Sequence, residues 1–216
     1  MAPLTGSLGK LDPRKLKPAA RAIYAKLPDD YRAFLAAHNG GFAAPETLTF
    51  VTPIPFQAKG VSRKTTDDYV VELFGFATGR HAKTQPRDLA ALAKEYAAEE
   101  FLPSGVFAIA RCVQSSLVCI STNPDDRGAV YYWDWYWRYP WKKAFFDRRL
   151  ARVRKKHPDV ATIAKNRKHR DYQRVADAFN YATIVKLADS FDEWQGALRD
   201  ATAKKLRASR PKPRSR

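Results

Sequence analysis

The sequence has little cysteine and no long apolar run, and each absence excludes a class of protein. Its 216 residues include two cysteines, Cys112 and Cys119, too few for a disulfide framework or a four-thiolate zinc site. No run of about 18 apolar residues occurs, so we expect no transmembrane helix. Residues 1–15 lack the continuous apolar region of a signal peptide. These features predict a protein of a reducing, cytoplasmic compartment with no membrane partner.

The motifs of common catalytic and metal sites are also missing. The four histidines form neither a His-x-x-x-His nor a His-Glu-x-x-His pattern, and no glycine-rich phosphate loop occurs. Four adjacent acidic pairs stand at predicted helix ends or turns, where neighbouring side chains point in different directions: Asp29-Asp30, Asp67-Asp68, Glu99-Glu100 and Asp125-Asp126. We therefore predict a protein that is not an enzyme and that has no metal and no cofactor.

Positive charge is abundant and unevenly placed. The formal net charge is +17. Residues 138–175 hold 14 basic and 3 acidic residues, residues 200–216 hold 7 and 1, and the rest of the chain is balanced. The glycines and prolines of residues 1–19 predict a flexible leader, and we expect the basic tail, 201–216, to be disordered. A neutral body with a basic block and a basic tail favours an acidic partner.

Apolar spacing predicts both helices and strands. The predicted helices cover 19–26, 86–99, 142–157 and 159–168, with one more between Leu27-Pro28-Asp29-Asp30 and Asn39-Gly40-Gly41. The predicted strands cover 48–56, 69–76, 105–111, 117–122, 129–137 and 183–187. Three of them, from 105 to 137, are close enough in sequence to form an antiparallel meander. A capping box, Ser190-Phe191-Asp192-Glu193, predicts the start of a last helix.

The basic block contains the candidate binding residues. The predicted helix 142–157 has a narrow apolar stripe, Phe146, Leu150, Val153 and His157, and a strongly basic opposite side. Aromatic residues and arginine anchor protein interfaces, and they also stack on bases and bind phosphates. We therefore predict a partner-binding surface on the basic side and at two preceding tryptophans: Trp137, Trp141, Arg148, Arg149, Arg152, Lys155 and Lys156.

Several short motifs follow one another in a recognisable order. Leu27-Pro28-x-x-Tyr31-x-x-Phe34-Leu35 and Asn39-Gly40-Gly41 come first, then Leu102-Pro103-x-Gly105-x-Phe107-x-Ile109-Ala110, Val118-Cys119-Ile120 and Gly128-x-Val130-Tyr131-Tyr132-Trp133-Asp134. The last is Ala188-Asp189-Ser190-Phe191-x-x-Trp194-x-x-x-Leu198. In this order the motifs resemble the SUKH superfamily, in its Smi/Knr-type branch, over residues 20–200.

The resemblance implies a fold and a function. The implied fold class is α+β, a single domain with a central, mostly antiparallel sheet flanked by helices and with residues 138–175 as a basic helical insertion. Bacterial members are immunity proteins that bind and neutralise a cognate toxin of a polymorphic or contact-dependent system, whereas fungal members are regulatory scaffolds. The family is not known for catalysis. The expected partner is therefore a cognate toxin or another protein with an acidic surface.

The basic and aromatic residues also allow a second function. The basic helix, the basic tail and the aromatic residues between them are also features of nucleic-acid-binding proteins. The alternative is thus a nucleic-acid-binding protein with a SUKH-like body, and a binding experiment must separate the two.

Overall fold

Seven strands form one sheet in the part of the chain that the structure describes. The computed structural model describes residues 4–44, 48–53, 65–78, 86–99, 102–134, 143–163 and 166–198. Within them the strands are β1 (Gly41–Phe42), β2 (Thr49–Pro53), β3 (Thr65–Leu73), β4 (Val106–Cys112), β5 (Leu117–Ser121), β6 (Val130–Trp133) and β7 (Ile184–Ala188).

The sheet is antiparallel throughout the pairs that the structure describes. Its order is β1-β3-β4-β5-β6-β7, and β2 also pairs with β3. The β4–β6 meander predicted from the sequence is confirmed, with Cys119 of β5 opposite Ala108 on one side and Tyr131 on the other. Bulges interrupt the pairing of β3 with β4 and of β4 with β5.

Helices pack around this sheet and complete an α+β fold in one domain. They are α1 (Pro18–Lys26), α2 (Asp29–Ala37), α3 (Leu89–Glu99), α4 (Lys143–Lys156), α5 (Val160–Ile163), α6 (Tyr172–Tyr181) and α7, which covers residues 191–198. The rings of Tyr31 and Phe34 on α2 contact Phe191 on α7, with centroids 4.8 and 5.2 Å apart. The fold class expected from the sequence is confirmed.

The aromatic strand β6 is buried on both faces. All four of its side chains, from Val130 to Trp133, are buried. Side chains alternate along a strand, and Tyr131 contacts Tyr181 of α6 while Tyr132 contacts Phe50 of β2. The predicted strand 129–137 is shorter in the structure, since β6 ends at Trp133 and residues 135–142 lie outside the described ranges.

The Asn39-Gly40-Gly41 motif joins α2 to the end of β3. Asn39 and Gly40 have positive φ angles of 45° and 80°, and the Asn39 side chain exchanges two hydrogen bonds with the backbone of Phe76, at 2.8 and 3.0 Å. A Cβ on Gly75 would lie 2.3 Å from the Asn39 carbonyl oxygen. The two backbones touch here, which explains the glycines as packing requirements.

The N-terminal segment contacts the core. Leu11 and Leu16, which fall within the expected leader 1–19, are 6% and 3% exposed. Thr5 forms a short bridge with Phe42 of β1. Two leucines and one pair of backbone hydrogen bonds therefore hold residues 5–16 against the body, whereas glycine and proline content alone had suggested a flexible leader.

Candidate partner interface

Three helices between β6 and β7 build a second, smaller core. Val153 of α4, Val160 and Ile163 of α5 and Val175 of α6 are all buried together. Because β6 and β7 pair directly with each other, the chain leaves the sheet after β6 and returns to it at β7. The predicted insertion, 138–175, lies in this excursion, which extends to the end of α6 at Tyr181.

Burial of Val153 decides which side of α4 faces the solvent. Val153 is 4% exposed, while Arg152, Lys155 and Lys156 are exposed. Three of the predicted binding residues thus lie on the surface next to an anchored valine. We call this set, Arg152, Lys155 and Lys156, the α4 cationic surface.

The other predicted binding residues are not placed by the structure. Arg148 and Arg149 belong to α4, but their side chains lie outside the described part of the chain. Trp137 and Trp141 lie entirely outside the described residues. Their role in binding therefore stays a prediction.

More cations follow in the turn between α5 and α6. Arg167, Lys168 and Arg170 are exposed there. One acidic residue, Asp171, lies beside Arg170 with 3.9 Å between the carboxylate and Nε. The α4–α6 unit is therefore cationic on more than one of its elements.

Arg174 fixes the end of α4 against α6. Its guanidinium lies 2.8 Å from Nδ1 of His157, just after α4, and donates to Asp159 at 3.1 Å. His157 is half-buried at the end of the predicted apolar stripe. This contact limits the freedom of the C-terminal turn that carries Lys155 and Lys156.

Polar contacts attach α6 to the body. The carboxylate of Asp177 accepts from the Ser104 N–H at 2.8 Å, and the Asn180 amide donates to the Leu102 carbonyl at 3.2 Å. Since both body partners belong to the Leu102-Pro103-x-Gly105 motif, that motif is where α6 docks.

A partly buried acidic group continues this attachment. Asp126 accepts from the hydroxyls of Tyr131 at 2.6 Å and Tyr181 at 3.0 Å. Burial raises the pKa of both phenols, and Asp126 adds to the effect. Both tyrosines therefore act as hydrogen-bond donors, and they join β6 to α6 through one carboxylate.

A cleft lies beside the attachment, between α3, the start of β4 and α6. Its volume is about 240 Å³, and Tyr96, Pro103, Phe107, Gln173 and Ala176 are among the residues that line it. Sites for small molecules are usually larger, from about 300 Å³. We therefore assign no small-molecule ligand to it.

The two cysteines, which are the candidate nucleophiles, lie in the packed interior. Cys112 and Cys119 are both buried, and burial raises the pKa of each thiol, which disfavours the reactive thiolate. Among the described residues, no three His, Cys, Asp or Glu side chains group as a metal site. In the same residues, no helix is both long and apolar enough to cross a membrane.

Sequence reasoning missed α6, which carries the attachment. The signal was present, because Tyr172, Val175 and Phe179 recur with the spacing of one helix face. The first residues of this helix overlap the basic block, 138–175, whose composition is dominated by charge. The partners of Asp177 and Asn180, about 75 residues away in sequence, carry no local signal.

Comparison with known proteins identifies the same family as the order of the motifs. The model of the SMI1 / KNR4 family (SUKH-1) matches residues 10–150, which include α1–α3, β1–β6 and the first half of α4. No curated protein and no solved structure matches the chain. The family match covers more than half of the sequence and contains all but the last of the quoted motifs. The chain therefore belongs to the SMI1 / KNR4 family (SUKH-1).

Proposed function

We propose that this chain is an immunity protein that binds and neutralises a cognate toxin, without catalysis of its own. Family membership supports a binding role, because the SUKH family includes immunity proteins. The observation that carries the proposal for this chain is the α4 cationic surface, held outward by the buried Val153. Arg148, Arg149, Trp137 and Trp141 are proposed as further contacts.

The charge of the surface points to the kind of toxin. Cationic groups accelerate association with an acidic surface and disfavour a basic one. A nuclease cleft is built for phosphate and is usually basic, so this surface does not suit it. The partner proposed is a toxin with an acidic patch.

Nucleic-acid binding is the second candidate. It is favoured by the exposed cations of the α5–α6 turn, Arg167, Lys168 and Arg170, in addition to those of α4. A phosphate backbone would contact several such cations at once. The two candidates predict different responses to salt, so one titration distinguishes them.

The test reverses the charge of the α4 cationic surface. The variant is Arg152→Glu/Lys155→Glu/Lys156→Glu. A matched control, Lys10→Glu/Lys26→Glu/Lys94→Glu, makes the same change in net charge at exposed positions of the body. Binding to the product of the adjacent gene and to duplex DNA is titrated at low and at high salt.

Each candidate has its own expected result. A toxin complex should associate more slowly in the α4 variant and normally in the control. Nucleic-acid binding should collapse in the α4 variant, and the wild type should lose affinity with salt by a log–log slope of about −0.9 for each phosphate contacted. Equal losses in both variants, or no effect of either, would contradict the assignment of this surface.

A further inference from the structure

A second cationic site lies on β3 and β4, away from α4. Glu72 of β3 has a side chain only 3% exposed, and it lies between Arg87 and Arg111, which are 45% and 31% exposed. Glu72 and Arg111 are cross-strand partners, whereas Arg87 comes from the segment before α3. A buried acidic side chain must be paired, and here two cations pair with one carboxylate.

The Glu72 carboxylate contacts both arginines at Nε, which we call the inner edge of each guanidinium group; the terminal amino groups form the outer edge. Nε of Arg111 donates to Oε2 of Glu72 at 3.1 Å, and Nε of Arg87 lies 3.5 Å from the same oxygen. The other oxygen, Oε1, accepts from the backbone N–H of Arg87 at 2.7 Å. Glu72 thus fixes the Arg87 backbone and the inner edge of two side chains.

A ring further restricts Arg87. Its guanidinium carbon lies 5.9 Å from the centre of the Phe74 ring, and Phe74 itself is fully buried. A side chain held by a carboxylate and an aromatic ring has lost much of its rotational freedom before any ligand arrives. This preorganisation lowers the entropic cost of binding.

The outer edges of the two arginines remain available. Neither the Arg87 nor the Arg111 terminal amino groups, Nη1 and Nη2, hydrogen-bond to another described residue. The pair carries one net positive charge, and its two guanidinium groups converge on one oxygen. From this geometry we propose that Arg87 and Arg111 form an oxyanion-binding site, with Glu72 as the positioning residue.

The donor groups of the two arginines suit a carboxylate or phosphate oxyanion. Guanidinium groups bind carboxylate and phosphate through pairs of parallel N–H donors. Both arginines are only partly exposed, so the ligand group must project from its carrier. A carboxylate on a partner's acidic side chain and a phosphate group both have this chemistry.

The experiment follows the Nε–H signals of the arginines by NMR while sodium acetate or inorganic phosphate is added. Sodium chloride at the same ionic strength provides the reference. The signals of Arg87 and Arg111 should shift along saturable curves, because both Nε–H groups lie within 3.5 Å of the Glu72 carboxylate and respond to a ligand on the outer edge. Arg32, which pairs with Asp29 and is 34% exposed, provides an internal reference.

Two substitutions sharpen the result. Arg87→Lys keeps the charge but removes the fork of donors, so the apparent affinity should fall about tenfold. Arg32→Lys, the matched control, should leave the affinity unchanged. Saturation by acetate identifies a carboxylate as the natural ligand group, and saturation by phosphate alone identifies a phosphate.

The proposal is overturned if neither anion shifts the Arg87 and Arg111 signals more than chloride does. It is also overturned if Arg32 responds equally. The wild-type titration decides even if a variant does not fold. The site shares no residue with the α4 cationic surface, so its failure would not affect the proposed function, and the reverse is also true.

Discussion

The capping box is formed at the start of α7 with one difference from expectation. The Ser190 hydroxyl accepts from the Glu193 N–H at 3.1 Å, as predicted. The Glu193 carboxylate reaches back one residue further, to the N–H of Asp189 at 2.7 Å. Each side chain therefore satisfies one backbone donor that the helix cannot satisfy itself.

Removing the two members of this box should give losses that are not additive. Ser190→Ala should lower the free energy of unfolding by roughly 0.5–2 kcal/mol. Glu193→Ala should cost less, and the double variant should cost less than the sum, because both side chains stabilise one helix end. Urea unfolding of the wild type, the two single variants and the double variant gives a double-mutant cycle. Additive losses of unfolding free energy would mean that the two contacts act independently.

A third side chain caps the same helix from α2. Oδ2 of Asp30 accepts from the N–H of Phe191 at 2.8 Å and from that of Asp192 at 3.3 Å. The positive end of the α7 dipole thus faces a carboxylate 161 residues away in sequence. This contact connects the first and last of the family motifs.

Asp30→Ala should therefore destabilise the whole domain. Loss of two hydrogen bonds to a charged acceptor should lower the free energy of unfolding by roughly 1.5–3 kcal/mol. The neighbouring Asp29→Ala is a matched control, because Asp29 is 87% exposed and pairs with Arg32 on its own helix. That change should cost less than about 1 kcal/mol. Thermal or urea unfolding compares them, and equal losses would show that Asp30 acts only through α2.

Asp68 of β3 is an acidic residue with a buried side chain. It is 5% exposed, and its carboxyl accepts from the Tyr132 hydroxyl at 2.7 Å and from the Tyr69 N–H at 2.8 Å. Burial raises the pKa of this carboxyl, the two hydrogen bonds oppose the rise, and the nearby Asp134 adds to it. The folded state therefore retains the Asp68 proton to a higher pH than the unfolded chain does.

The stability of the protein should consequently carry a pH-dependent contribution from Asp68. As the pH rises above 3.8, the ordinary pKa of the group, the folded state binds more protons than the unfolded chain. This contribution thus falls until the folded-state pKa is passed. Asp68→Asn should remove this fall, so its stability relative to wild type should improve as the pH rises above 3.8.

Urea unfolding at several pH values tests the Asp68 prediction. Asp67→Asn removes the same charge from an exposed position of the same strand and provides the reference profile for loss of one carboxylate. If the pH profile of Asp68→Asn runs parallel to that of the wild type, the buried carboxyl does not contribute to the pH dependence of the free energy of unfolding.

At the scale of elements, the part of α4, α5 and α6 whose side chains the structure describes forms a small apolar core. Four described buried side chains hold the three helices together. The described attachments to the body include hydrogen bonds at Ser104, Leu102 and Asp126 and a ring contact between Tyr181 and Tyr131. The main core around the sheet is far larger. A region with few buried apolar contacts opens more readily than the rest of the molecule.

A core substitution in this unit should therefore have a local effect. Val160 is fully buried between α4 and α6, and Val160→Ala should weaken packing by about 2 kcal/mol. Amide exchange should accelerate in α4–α6 and stay slow in β4 and β5. Val130→Ala, the same change at a fully buried position of β6, should instead accelerate exchange throughout. Global acceleration by Val160→Ala would show that the unit folds only together with the sheet.

At the scale of the whole molecule, the charge and the core occupy different parts of the chain. The described sheet and its helices bury the main core, while the net charge of +17 comes from residues 138–175 and the tail. Substitutions on the α4 cationic surface should thus leave the stability of the main core unchanged, because none of these residues belongs to it.

The tail should be dispensable for folding. Residues 207–216 contain no apolar side chain larger than alanine or proline, so their deletion removes almost no apolar burial. A chain ending at Leu206 should unfold within about 2 °C of the full-length protein. A fall of many degrees in a thermal scan would show that the tail docks on the body.

Much of the local structure could be predicted from the sequence. The Leu27-Pro28-Asp29-Asp30 start, the Asn39-Gly40-Gly41 end and the apolar spacing between them predicted α2, because these signals act within a few residues. The order of motifs also predicted the family and the sheet. The short β1 was missed because two residues carry no usable period, and its existence depends on pairing with β3.

What the sequence by itself determined is most of the helices and strands, with β1 and α6 as exceptions, the cap of α7 and the separation of charge from core, since each depends on residues near one another in the chain. Only the tertiary structure decided that Asp30 caps α7, that Asp177 and Asn180 of α6 dock on the Leu102-Pro103 motif, and that Glu72 aligns two arginines. These contacts join residues from distant positions. Such contacts form because burial of the main core brings the elements together and leaves each buried polar group in need of a partner.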